Sequence, residues 1–170
     1  MAFQFLGSLV GLDNWSEALA NIQNIDQEKA RLQNKSNAGN QSHVRGYVYL
    51  KNGQYPEAVK TYRNTLNWHV ANFGADHYFT AFVRGMYASA LWRTGDLAGA
   101  RLNFEQSMRN ITAPDVLSGD VVEDAFRKKS KKFIFQNYLE MLAQTAGQDP
   151  KDAATIFQLA DYLNSSSVQQ

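Results

Sequence analysis

Cysteine is absent from this 170-residue chain. Disulfides, thiolate metal sites and a cysteine nucleophile are therefore excluded together. Proline is scarce: three residues, at 56, 114 and 150, leave long stretches in which nothing interrupts a helix. An excess of either charge is also missing. The 17 Lys and Arg stand against 16 Asp and Glu, a net charge of +1, so no general attraction to nucleic acid or anionic lipid is expected. No run of about 18 apolar residues occurs, so no transmembrane helix is expected. The apolar start MAFQFLGSLVGL precedes the first basic residue, Lys29, and lacks the basic n-region of a signal peptide. It reads as a packed first helix in a cytoplasmic protein; an exported form with its signal already removed is the alternative. What remains is a hydrophobic fraction of 44% with 19% charged residues, the balance of a folded chain rather than a disordered one.

Internal self-similarity is the strongest positive signal. VRGYVYLKNGQYPEAVKTYRNTL (44–66) lies over MYASALWRTGDLAGARLNFEQSM (86–108) at a constant offset of 42. Gly46 pairs with Ala88, Tyr49 with Leu91, Gly53 with Gly95 and Tyr55 with Leu97. Ala58 with Ala100, Tyr62 with Phe104, Thr65 with Ser107 and Leu66 with Met108 continue the match. An ordinary amphipathic period does not reproduce this order of sizes. Small residues at 46 and 58, or 88 and 100, allow two helix backbones to approach, and the large residues at 49 and 62, or 91 and 104, fill the remaining space. Gly53 and Gly95 fall where a first helix should stop in the left-handed conformation. Pro56 suits the first turn of the helix that follows. Each unit therefore reads as helix, tight turn, antiparallel helix.

The second-helix half recurs. Ala18, Ile22 and Ile25 repeat the spacing of Ala58, Tyr62 and Thr65, and Ala153, Phe157 and Ala160 show it again after Gly147 and Pro150. An insertion is expected between Pro114 and Lys132. Helices are expected over 2–10, 15–33, 41–52, 56–72, 78–94, 97–110, 121–146 and 151–166, with no sheet. Residues 34–42 read as a polar loop, 73–78 as a turn with Asp76 as an N-cap, and 113–120 as a longer break ending in the cap Asp120.

The recurring pattern Gly46, Tyr49, Gly53, Ala58, Tyr62 and Ala88, Leu91, Gly95, Ala100, Phe104 resembles the tetratricopeptide repeat (TPR). The 42-residue period, with FGADHYFT before the second copy, resembles the longer TPRs of kinesin light chains and of many bacterial proteins. The resemblance implies an all-α, right-handed TPR-like α-solenoid of about four hairpins, near 2–33, 41–72, 78–110 and 121–166, as a single array over 1–170. Arg84 and Arg45 stand where the family usually has large apolar residues, and Thr65 and Ser107 replace a usual alanine. The C-terminal segment, with Phe157, Leu159, Ala160, Asp161 and Ser166 to Gln169, resembles the last repeats of bacterial TPR proteins that carry a CHAT (caspase-like) domain. The chain stops inside an apparent helix without the polar capping unit that repeat arrays use, so a longer parent protein is expected.

The resemblance places His43, Tyr47, Leu50 and Lys51 on the concave face of one unit, and Phe82, Ser89, Trp92 and Arg93 on that of the next. Lys51 and Arg93 occupy equivalent positions. Two such cations suit a peptide carboxylate, with Tyr47 and Trp92 in apolar contact; the plainer reading is that both complement helix C-termini. The family's carboxylate clamp uses Asn where this chain has Tyr47 and Ser89, so a chaperone-tail clamp is not expected. Arg127, Lys128, Lys129, Lys131 and Lys132 form a basic segment. It suits an anionic partner, or it is the solvated face of a long helix whose Phe126, Phe133, Ile134 and Tyr138 turn inward. His43, His69 and His77 are scattered and lack metal-ligand company. Glu123 and Asp124 are adjacent and so cannot form an acid/base pair. No phosphate loop, dinucleotide fingerprint or nucleophile elbow occurs. The expectation is a non-catalytic protein–protein interaction module without a cofactor. Its partner would be a protein, a peptide or another domain of its own chain, and it would regulate an attached CHAT domain. A self-assembling scaffold is the alternative, and nucleic-acid binding through 127–132 the less favoured one.

Overall fold

A computed structural model of the chain describes residues 13–31, 42–111, 121–145 and 151–165. Among these, every regular element is a helix and no strand occurs. The helices are α1 (Trp15–Arg31), α2 (Ser42–Lys51), α3 (Tyr55–Phe73), α4 (Tyr78–Arg93), α5 (Leu97–Ile111), α6 (Val121–Gln144) and α7 (Asp152–Ser165). Each of them starts and ends within two residues of the helix expected from the sequence. The expected helix over 2–10, the loop 34–41 and the cap at Asp120 lie outside the described residues. The chain divides into two compact units, Met1–Val116 and Leu117–Gln170.

In the first unit consecutive helices pack on one another from α1 through α5, and α2 also touches α4. First helices thus stack on first helices, which is the α-solenoid arrangement. The turns explain the regularity. Gly53 (φ 72°) and Gly95 (φ 87°) both take the left-handed conformation that a side chain would strain. In the first turn Gly53 N–H donates to Leu50 O and Gln54 N–H to Tyr49 O; in the second Gly95 N–H donates to Trp92 O and Asp96 N–H to Leu91 O. Both are the paired bonds of a Schellman cap, in the same register 42 residues apart.

The core between the helices follows the predicted sizes. Ala58, Tyr62, Ala88, Ala100 and Phe104 are completely buried, and each large ring withdrawn from water contributes roughly 1.5–3 kcal/mol. Gly46 is required by its neighbour: a Cβ there would lie 2.6 Å from Tyr62 Cζ. Ala18 and Ile22 on α1 are buried too. The turn before α4 departs from expectation. Its N-cap is His77, whose Nδ1 accepts from Phe79 N–H, and Asp76 does not fill that role. Thr80 closes the same turn by donating its hydroxyl to Gly74 O at 2.8 Å.

The second unit is the α6–α7 pair. Ile134, Phe135, Tyr138, Met141 and Leu142 of α6 and Leu159 of α7 are buried, and Phe135 meets Tyr162 edge-on at 4.5 Å. The Ala153–Phe157–Ala160 spacing does not mark a buried face here, contrary to expectation. Asp152 and Leu159 turn inward while Phe157 is 74% exposed. The stripe that meets α6 is rotated from the predicted one because it is set by Leu159 and Tyr162.

Candidate partner-binding surface

The C-terminal ends of α2 and α4 carry the two equivalent cations, and both are exposed. Lys51 Nζ stands 5.3 Å from the centre of the Trp15 ring and 5.9 Å from that of Tyr47. Those two rings meet edge to face at 5.2 Å. Arg93 lies over the ring of Trp92 with its Cζ 4.1 Å from the centroid. In each copy an aromatic surface therefore restrains an exposed cation, an arrangement worth about 0.5–1 kcal/mol at exposed sites. Asn52 fixes the first of these ends by donating to both Trp15 O and Val48 O.

The remaining predicted groove residues sit deeper. Tyr47, Leu50, Phe82, Ser89 and Trp92 are all buried. Their side chains hold the helices together, so they present little surface to a partner. Ser89 donates its hydroxyl to Gly85 O within its own helix. Burial, and secondarily the Asp13 carboxylate, pushes the Tyr47 phenol far above its ordinary range. His43 is half-buried, and its carbonyl accepts the Tyr62 hydroxyl at 3.0 Å. Arg45 and Arg84 are engaged between helices. Arg45 makes a two-pronged pair with Asp26 of α1, at 2.6 and 2.9 Å. Arg84 donates to Gln106 Oε1 of α5 at 2.6 Å. These two positions, which depart from the usual family residues, have become ties between helices.

The basic segment does not form one solvated stripe. Lys128 is exposed, and Arg127, Lys129 and Lys132 are half-buried. Lys131 is buried, with its ammonium 5.3 Å from the centre of the Tyr162 ring. Ile134 and Tyr138 turn inward as expected, whereas Phe126 and Phe133 are half-buried.

One cluster escaped the sequence reading. His43 is distant in sequence from the other two, yet His43 and His77 both act electrostatically on His69. Around them Trp68, Phe73 and Phe79 complete a chain of rings at the α3–α4 turn. The aromatic and imidazole density of WHVANFGADHYF (68–79) was the available signal. Among the described residues no group of three or more His, Cys, Asp or Glu is placed to hold a metal ion. No described helix is long and apolar enough to cross a membrane.

Stacked hairpins with a repeated turn and a repeated small–large core define a helical repeat architecture. In agreement, residues 40–113 match the tetratricopeptide repeat family model. The matched stretch takes in α2 through α5, and thus both full copies of the 42-residue unit. Comparison with curated proteins gives no match. Tetratricopeptide repeats are typically protein–protein interaction modules and are generally non-catalytic.

Proposed function

We propose that the α2–α5 stack is a binding module for a protein or peptide segment carrying carboxylates. The supporting observation is the pair Lys51 and Arg93: exposed cations at the same helix end in successive copies, each restrained over aromatic rings. A side chain already confined loses less freedom on binding, and Arg93 can engage a carboxylate with two parallel hydrogen bonds. The buried Tyr47, Leu50 and Trp92 hold the helix ends that present these cations. Regulation of an attached CHAT domain extends the same proposal, with partner occupancy as the input; its support is the sequence resemblance alone. The test is titration of a fluorescent acidic peptide series, with matched amide controls, into wild type and Lys51→Glu/Arg93→Glu. Affinity for carboxylate peptides should fall about tenfold or more with an unchanged helical spectrum. Equal affinity of both proteins for the acidic series would contradict the proposal.

A second reading, self-association, is favoured by one observation: Phe157 is 74% exposed on α7. Light scattering across a concentration series, on wild type and Phe157→Glu, separates this from peptide capture. Constant monomer mass in both would dispose of it.

A further inference from the structure

The α3–α4 turn holds groups that the proposed binding surface does not use. Trp68 and His69 each meet Phe73, with centroids 5.5 and 5.4 Å apart. Phe73 stacks on His77 at 5.1 Å, and His77 on Phe79 at 5.7 Å. Two features tie this chain of rings to protonation. His77 caps α4 by accepting Phe79 N–H on Nδ1 at 3.2 Å. A proton on that nitrogen abolishes the acceptor and puts positive charge at the positive end of a helix. His69 Nδ1 is buried without a hydrogen-bond partner, so a proton there is a buried donor with nothing to meet.

His43 on α2 adds a further imidazole. The last turn of α3 carries no basic residue and the first turn of α4 no acidic one. Asp76 is the one carboxylate between 67 and 81, and its field also reaches Arg84 on α4.

We propose that the α3–α4 turn is a proton-responsive joint of the repeat stack: a proton on His77 Nδ1 removes the acceptor that caps α4, a proton on His69 Nδ1 is a buried donor without a partner, and together they disrupt the ring chain and loosen the contact through which one repeat meets the next. Burial, with smaller contributions from His43 and His77, holds the His69 imidazole below the usual histidine range. A histidine depressed in the fold takes up its proton first in the opened state. Its contribution to stability is therefore complete above the ordinary histidine value of about 6.5 and is lost as pH falls through it.

Native-state hydrogen exchange on the full chain tests this, at pH 7.5 and 5.5 and corrected for intrinsic rates. Protection of the Phe79 amide, which the His77 cap bonds, should drop in acid by clearly more than the change at α5 amides, which should stay within about twofold. His77→Asn supplies a cap that does not titrate; alone it should reduce the acid loss, and with His69→Gln abolish it. Equal wild-type protection at both pH values would overturn the proposal. So would an undiminished acid loss in His77→Asn, or nitrogen NMR showing the His77 proton on Nδ1 at pH 7.5.

Discussion

The two copies of the hairpin, 44–66 and 86–108, reach the same packing by different division of volume. The first pairs a glycine with a tyrosine, Gly46 and Tyr62. The second pairs an alanine with a phenylalanine, Ala88 and Phe104. All four are buried. In the first copy the ring fills the space to the point where a methyl on residue 46 would collide with it; in the second the methyl is present and the ring lacks a hydroxyl. The tie between helices moves accordingly. Tyr62 donates across to the His43 carbonyl of α2 at 3.0 Å. In the second copy the equivalent carbonyl, Gly85 O, is taken by Ser89, and the cross-helix bond comes from Ser107 to Ala81 O at 2.6 Å. Among the described residues Thr65, equivalent to Ser107, bonds within its own helix, to Thr61 O. Among the described residues each hairpin thus keeps a side-chain hydroxyl bridging to a partner carbonyl, from a different position. What repeats is total volume and one bridging bond, not residue identity.

The harshest way to break this comparison is to remove a core ring. Phe104→Ala should cost about 3–5 kcal/mol in denaturant unfolding because its buried site cannot refill, and a cost below about 1 kcal/mol would mean that the second copy is not packed as described. Next comes the small-residue position. Gly46→Ala should cost about 1–3 kcal/mol by overpacking against Tyr62. Ala88→Gly should cost only about 0.5–1 kcal/mol through backbone freedom. Similar values for both would erase the distinction between the copies. The bridging hydroxyls follow, with Tyr62→Phe and Ser107→Ala each losing about 1 kcal/mol. Thr65→Ala should lose clearly less than Ser107→Ala, since its bond spans no helix pair. The smallest effect is at the caps. Asp96 caps α5 by accepting Gly99 N–H at 2.9 Å, whereas Gln54 at the equivalent position makes no side-chain cap. Asp96→Ala should therefore cost about 1 kcal/mol and Gln54→Ala close to nothing, read as a difference in thermal midpoint.

The helices and turns were legible in the sequence because each rests on a local rule. Gly53 and Gly95 mark left-handed stops, Pro56 marks a helix start, and spacing between them marks a buried stripe. Rules of this kind fail where a tertiary neighbour decides. Ala153, Phe157 and Ala160 carry the repeat's spacing, but Leu159 and Tyr162 choose which face of α7 meets α6. Tyr47 and Trp92 look like contact residues in a linear pattern; depth within the stack, which sequence does not carry, makes them core. His77 outranks Asp76 as the cap because its ring can stack between Phe73 and Phe79 while it accepts the amide. Arg45 and Arg84 only stand out from the family pattern until Asp26 and Gln106 are brought opposite them by packing. Lys51 and Arg93 were readable as a pair because equivalence of position survives folding.

The equivalence of the two hairpins is tested most directly by converting one core pair into the other. Gly46→Ala, Tyr62→Phe and the double variant form a thermodynamic cycle read by urea unfolding. If the pairs are alternative fillings of one site, the double variant will be less destabilised than the sum of the singles, with a favourable coupling of about 0.5–3 kcal/mol. Strict additivity, with no relief of the added methyl once the ring is released from its bond to the His43 carbonyl, would contradict it.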